Sequence, residues 1–216
     1  MNTIESMKAE HRHRLIVLIL FGILYLGSFL LLELFVKEPV LILYSPLDDY
    51  IPFSKFALIP YALWFPTIAV TLYYFFLKAP EEEYRRFALP LVFGSLSVML
   101  FYALVPNGVN LRPAVIEGSD LLAVLVRLLQ GFDPPLNTCP SLHVLVMVLM
   151  DNAWQRSKLL AGKTGIKAAL RLLDAAVCLS TVFLKQHSIL DVFWALAYVL
   201  VLELGAEHIC KKKEHL

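Results

Sequence analysis

Six apolar runs leave this chain few folds to choose from. They lie at Leu15 to Val36, Phe56 to Leu77, Phe87 to Val105, Leu142 to Trp154, Ile166 to Leu184 and Ile189 to Leu204. A helix crosses the hydrocarbon core in about 20 residues. Lipid offers no partner for a backbone N–H or C=O, so such runs fold as helices. The fourth run is short and ends in Asp151 and Asn152, so its helix is expected to continue past the core. Of the 216 residues 59% are hydrophobic and only 17% charged, whereas soluble domains are roughly 25% charged. Mean hydropathy is +0.70. The expectation is all-α: a polytopic membrane protein whose six transmembrane helices form one membrane-embedded domain over residues 1–216. The first run is too long for a signal peptide and lacks a small-residue cleavage site, so it reads as an anchor.

Charge sets the orientation. Basic residues gather on the cytoplasmic side of membrane proteins. With the N-terminus inside, the inner segments hold Lys8, Arg12 and Arg14; Lys78, Arg85 and Arg86; Arg156, Lys158, Lys163, Lys167 and Arg171; and Lys211 to Lys213. The outer segments hold only Lys37, Lys55, Arg112, Arg127 and Lys185. Both termini are therefore expected in the cytoplasm of a plasma or inner membrane. Asp151, Asp174 and Glu203 then fall near inner-edge arginines and read as ion pairs, while His11, His13, His208 and His215 read as solvated. Net charge is +1, so nothing suggests a nucleic-acid partner. Cys139, Cys178 and Cys210 are odd in number and widely spaced, which argues against a disulfide framework or a zinc site.

Two outer connections differ in character. Lys37 to Lys55, with Pro39, Pro46 and Pro52, reads as an irregular surface loop. Pro106 to Thr138 is longer, and Leu121, Leu122, Val124, Leu125, Leu128 and Leu129 recur in it at helical spacing. That pattern predicts a short amphipathic helix between the third and fourth spans, lying in the interface or packed on the bundle.

The polar residues left at the outer edge carry the chemistry. His187 and Asp191 stand one helical turn apart, and His143 opens the fourth span just after Pro140 and Ser141. Ionisable groups at this depth are functional candidates. A carboxylate beside an imidazole fixes its tautomer and frees the other ring nitrogen to abstract a proton, bind a metal or attack phosphorus. A second imidazole can serve as general acid. Arg112, whose planar fork suits phosphate oxygens, Ser141 at a helix start and Lys185 are the candidate phosphate-binding residues.

Three strings in order now carry a resemblance: Arg112-Pro113, Pro140-Ser141-Leu142-His143, and Ser180-Thr181 through His187 to Asp191. The chain resembles the type 2 phosphatidic acid phosphatase superfamily, and within it the branch containing inositol phosphorylceramide synthases. The resemblance covers roughly residues 87–204, with the motifs inside 105–195. It implies a phosphohistidine formed on His187, with Asp191 as its orienting partner, His143 as acid for the leaving group, and Arg112 with the Ser141 region holding phosphate. It implies no metal and no cofactor, and a lipid phosphate within membrane lipids as substrate. The family's signature lysine and arginine fall here on Val105 and Thr181, so two expected cations are missing. Fewer cations suit a phosphodiester, which carries one negative charge where a monoester carries nearly two. The expected activity is a lipid phosphatase or phosphotransferase cleaving a lipid phosphate ester at the non-cytosolic face, with headgroup phosphotransfer on phosphodiester lipids as the alternative. A two-histidine, one-carboxylate metal site and a non-enzymatic transporter are the rival readings.

Overall fold

A computed structural model describes residues 3–214, with side chains from Ala9 to Cys210. His215, read above as solvated, and the side chains of Lys8 and Lys211 to Lys213, used above for orientation, lie outside that description. Among the described residues the fold is almost wholly helical: α1 (Thr3–Phe35), α2 (Leu47–Tyr50), α3 (Leu58–Ala62), α4 (Trp64–Leu77), α5 (Glu81–Leu104), α6 (Leu121–Phe132), α7 (Leu142–Arg156), α8 (Thr164–Phe183) and α9 (Ile189–Glu214). Four stretches are long and apolar enough to cross a membrane: Ala9–Phe35, Lys55–Leu77, Glu81–Leu104 and Ile189–Cys210. Their ends run past the apolar runs because the flanking Glu, Lys and Arg residues are good helix formers.

The fourth and fifth apolar runs form helices of a different kind. At about 1.5 Å per residue, the 15 residues of α7 fall short of the roughly 30 Å core. In α8, Lys167, Arg171 and Asp174 interrupt the apolar surface. Instead α7 is the inner helix. It packs against α4, α5, α8 and α9, and Val144, Leu145, Met147, Leu149 and Met150 are buried. By contrast, α1 leaves Ile16, Ile19, Leu20, Ile23 and Leu24 exposed. A helix apolar on its outer face as well as its inner one is suited to hydrocarbon, not water.

Close approach and polar ties fix the bundle. A Cβ on Gly94 of α5 would lie 2.5 Å from Leu202 Cδ1 of α9, so the missing side chain lets these helices meet, as small residues do in membrane proteins. Beside it Ser97 Oγ and Tyr198 OH share a hydrogen bond of 2.6 Å. At the basic end, Arg14 is buried and donates to Glu10, Glu81 and the Ala79 carbonyl. Arg171 pairs with Asp151 at 3.0 Å, and Arg156 pairs with Glu203. Among the described residues Asp174 forms no ion pair at contact distance; its carboxylate accepts from the Cys178 thiol.

The opposite end is more ordered than its sequence suggests. Residues 37–55 are not simply a surface loop. Leu41–Ile42 (β1) pairs in parallel with Asn107–Gly108 (β2), and the following turn carries Asp48 into a buried position. The predicted amphipathic helix is α6, capped by Asp120 accepting from the Ala123 N–H at 3.3 Å and tied to Lys55 by an ion pair.

Candidate active site

The turn that carries His187 is set by the end of α8. The N–H groups of Gln186 and His187 both donate to the Thr181 carbonyl, at 3.0 and 3.2 Å. This wraps the chain back on itself and puts Lys185 in the left-handed region at φ 57°. Thr181 is fully buried and donates its hydroxyl to the Cys178 carbonyl.

Helix α9 starts from a capping box. Ser188 is the cap, its hydroxyl accepting from the Leu190 N–H at 3.2 Å. Asp191, three residues on, reaches back to accept from the Ser188 N–H at 3.0 Å, as an acid at that position does. The same Asp191 oxygen lies 3.1 Å from His187 Nδ1. The imidazole and carboxylate therefore meet across the helix entry, with His187 just before the cap. An ionised carboxylate only accepts, so Nδ1 carries the proton and Nε2 keeps its lone pair.

His143 completes a chain of contacts. Its Nδ1 lies 3.3 Å from His187 Nε2, and its Nε2 lies 2.9 Å from the Tyr61 hydroxyl. One set of donors satisfies all three contacts: Tyr61 to His143, His143 to His187, His187 to Asp191. The His143 ring also rests against Trp64, with centroids 4.7 Å apart. The two motif strings are joined by the backbone as well, since the Ser141 N–H donates to the Asp191 carbonyl at 3.1 Å.

The remaining candidate residues are held differently. Ser141 is fully buried and caps α7, accepting from the Val144 N–H at 3.4 Å. It takes the cap position, and Pro140 stands before it, outside the first turn. Lys185 donates to the Asp48 carbonyl at 2.6 Å. Arg112 spreads its fork over the carbonyls of Gln130 (3.1 Å) and Asp133 (2.6 Å) and the side-chain oxygen of Gln186. Burial pulls its pKa down from the ordinary value, though a guanidinium keeps its proton throughout.

Residues that sequence spacing does not reveal hold this end together. Asp48 takes the Ser188 hydroxyl at 2.6 Å and the Ile189 N–H at 2.8 Å. Asn107 Oδ1 accepts from the N–H groups of Thr138 and Cys139, and Tyr102 donates to the Pro140 carbonyl. Burial first, and then the Asp191 carboxylate, push the Cys139 thiol up to about 12, so it stays protonated and unreactive.

His143 and His187 line a cavity of about 510 Å³ that opens between α1, the α3–α4 region, α5 and α6. Its walls are mostly apolar, with Leu129 and Phe132 contributed by α6. Among the described residues it has no lysine or arginine in its lining; Arg112, Ser141 and Lys185 all lie outside it. No group of three His, Cys, Asp or Glu side chains among the described residues is arranged to hold a metal ion, because Asp191 stands behind the His187 ring and not beside its free nitrogen. Comparison with known proteins adds no relative: no family model, curated protein or solved structure matches the chain.

Proposed function

We propose that the chain is an integral membrane phosphoryl-transfer enzyme acting on a lipid phosphate ester. The observation that carries this is the directed chain Tyr61–His143–His187–Asp191 at the wall of an apolar cavity. Such a chain fixes both tautomers: the His187 Nε2 lone pair, held at rest by the His143 Nδ1–H, becomes the nucleophile when a phosphate enters between the rings, and the second imidazole is within reach of the leaving oxygen.

The reaction takes two steps. His187 Nε2 attacks phosphorus and the bond from phosphorus to the leaving oxygen breaks. His143, which takes up a proton to become the imidazolium when the phosphate is bound and then donates its Nε2–H to the Tyr61 oxygen, passes its Nδ1 proton to the leaving oxygen. A water, or the hydroxyl of a second lipid, then attacks the phosphohistidine while His143 takes its proton back. The phosphorus–nitrogen bond breaks and the lone pair returns to His187. Asp191 holds the ring throughout and stabilises the positive charge the imidazole gains on attack. Arg112, one side chain behind Gln186, and Lys185 supply positive potential, and the start of α7 at Ser141 adds the field of a helix N-terminus.

The same reading places α7 and α8 as the fourth and fifth of six spans, with both termini cytoplasmic, α6 in the outer interface and the cavity open to lipid on the non-cytosolic side. Because α7 is enclosed by other helices, its shortness leaves no backbone facing hydrocarbon. Transfer between lipids is favoured over monoester hydrolysis by the cation-free cavity lining. Purified protein in detergent should release a phosphoryl product, or transfer it to an added lipid alcohol, with chelator present. His187→Ala should abolish this; full activity in that variant would remove the proposal.

A further inference from the structure

The cavity carries negative charge where a phosphate substrate is to be received. Glu33 of α1 and Asp133 after α6 both line it. Neither carboxylate has a hydrogen-bond or ion-pair partner among the described residues. Lys37, one turn from Glu33, donates to its main-chain carbonyl and not to its carboxylate. The cations nearby are committed elsewhere, Arg112 to carbonyls and Gln186, and Lys185 to the Asp48 carbonyl.

A second, separate observation points to a polar ligand. Gln186 and Thr138 line the same cavity and are 3% and 4% exposed, yet Gln186 Nε2 and Thr138 Oγ1 have no hydrogen-bond partner among the described residues. The Trp64 indole N–H, also on the cavity wall, is likewise buried without an acceptor. Buried donors left open in this way are costly unless something accepts from them. The cavity thus offers donors for phosphate oxygens, two open carboxylates, and the aromatic rings of Tyr25, Tyr61 and Trp64. Aromatic faces with nearby carboxylates suit a desolvated ammonium.

We propose that the cavity takes a zwitterionic lipid phosphodiester, its ammonium headgroup held by Glu33, Asp133 and the aromatic wall, and its phosphate by Gln186, Thr138 and Trp64 beside His187. This rests on the phosphoryl-transfer reading and names its substrate class. A dianionic monoester would meet two carboxylates and no lining cation, whereas a zwitterion balances both charges within the site.

The test presents the purified full chain, in detergent, with phosphatidylcholine, phosphatidylethanolamine, phosphatidic acid or phosphatidylglycerol, and measures products by mass spectrometry. The zwitterionic lipids should react with kcat/KM at least roughly tenfold above the anionic ones. That preference should collapse in Glu33→Gln and in Asp133→Asn. A preference for anionic lipids, or one unchanged in both variants, overturns the headgroup site and leaves the reaction standing. Tryptophan fluorescence, with Trp64→Phe as the blank, reads binding of phosphocholine against glycerol phosphate without turnover. Should no lipid react while phosphocholine binds selectively and Glu33→Gln weakens it, the reaction falls and the headgroup site stands. Absent or headgroup-blind binding overturns the site.

Discussion

Asp48 Oδ2 accepts the Ser188 hydroxyl at 2.6 Å, joining residues 140 positions apart. Its other oxygen takes the Ile189 N–H, and its carbonyl takes the Lys185 ammonium. One residue between α1 and α3 thus holds both sides of the turn that presents His187. Asp48→Ala should leave three donors open, the Ser188 hydroxyl and the N–H groups of Ile189 and Ser45, and cost about 2–4 kcal/mol. Asp48→Asn, which keeps one side-chain acceptor, should cost less. Thermal unfolding of the two variants in detergent checks the order.

The Tyr61 hydroxyl shares a hydrogen bond with the outer nitrogen of His143, and Tyr61 is almost fully buried. Tyr61→Phe keeps the ring and removes only the hydroxyl, so stability should fall by about 1 kcal/mol. On the proposed mechanism kcat should drop about tenfold, with KM little changed, because the hydroxyl contacts the acid and not the lipid. A KM that rises while kcat holds would assign Tyr61 to substrate binding instead.

Spacing made His143, His187 and Asp191 legible, since polar residues at the ends of apolar runs have few bland explanations. The helical bundle was legible for the same reason. Asp48, Tyr61, Asn107 and Gln186 were not. Each acts through contacts far apart in sequence, and an aspartate between prolines or a tyrosine in an apolar run has no pattern to mark it. The charged residues of α8 sit inside an apolar run whose average hides them. Capping explains why Ser141 turns inward: a serine before a helix serves its own backbone first.

Gly108 is a place where backbone meets backbone. A Cβ there would lie 2.4 Å from the Pro135 carbonyl oxygen, and the next residue, Val109, donates its N–H to that same oxygen. Gly108→Ala should displace the segment that leads into Pro140 and His143. A loss of about 1–3 kcal/mol is expected, with turnover reduced more than the unfolding midpoint suggests. Paired activity and unfolding measurements test this.

Burial, more than the opposing Arg112 charge, raises the pKa of the Asp133 carboxyl. The folded value therefore lies above the unfolded one, near 3.9. The protonated carboxyl is favoured by folding, so its contribution is complete below the unfolded value and is lost as pH rises through the folded one. Asp133→Asn stays neutral. The stability of the natural chain relative to this variant should fall as pH is raised from about 4, and parallel unfolding curves across that range would show it. A difference independent of pH would contradict the assignment.

The most direct test of the central claim is to quench turnover in alkali and weigh the intact protein and its peptides. The account predicts an added phosphoryl group on the peptide containing His187, stable in base, labile in acid and absent from His187→Ala. A phosphoryl adduct on another residue, or turnover that builds no adduct under any quench, would contradict it.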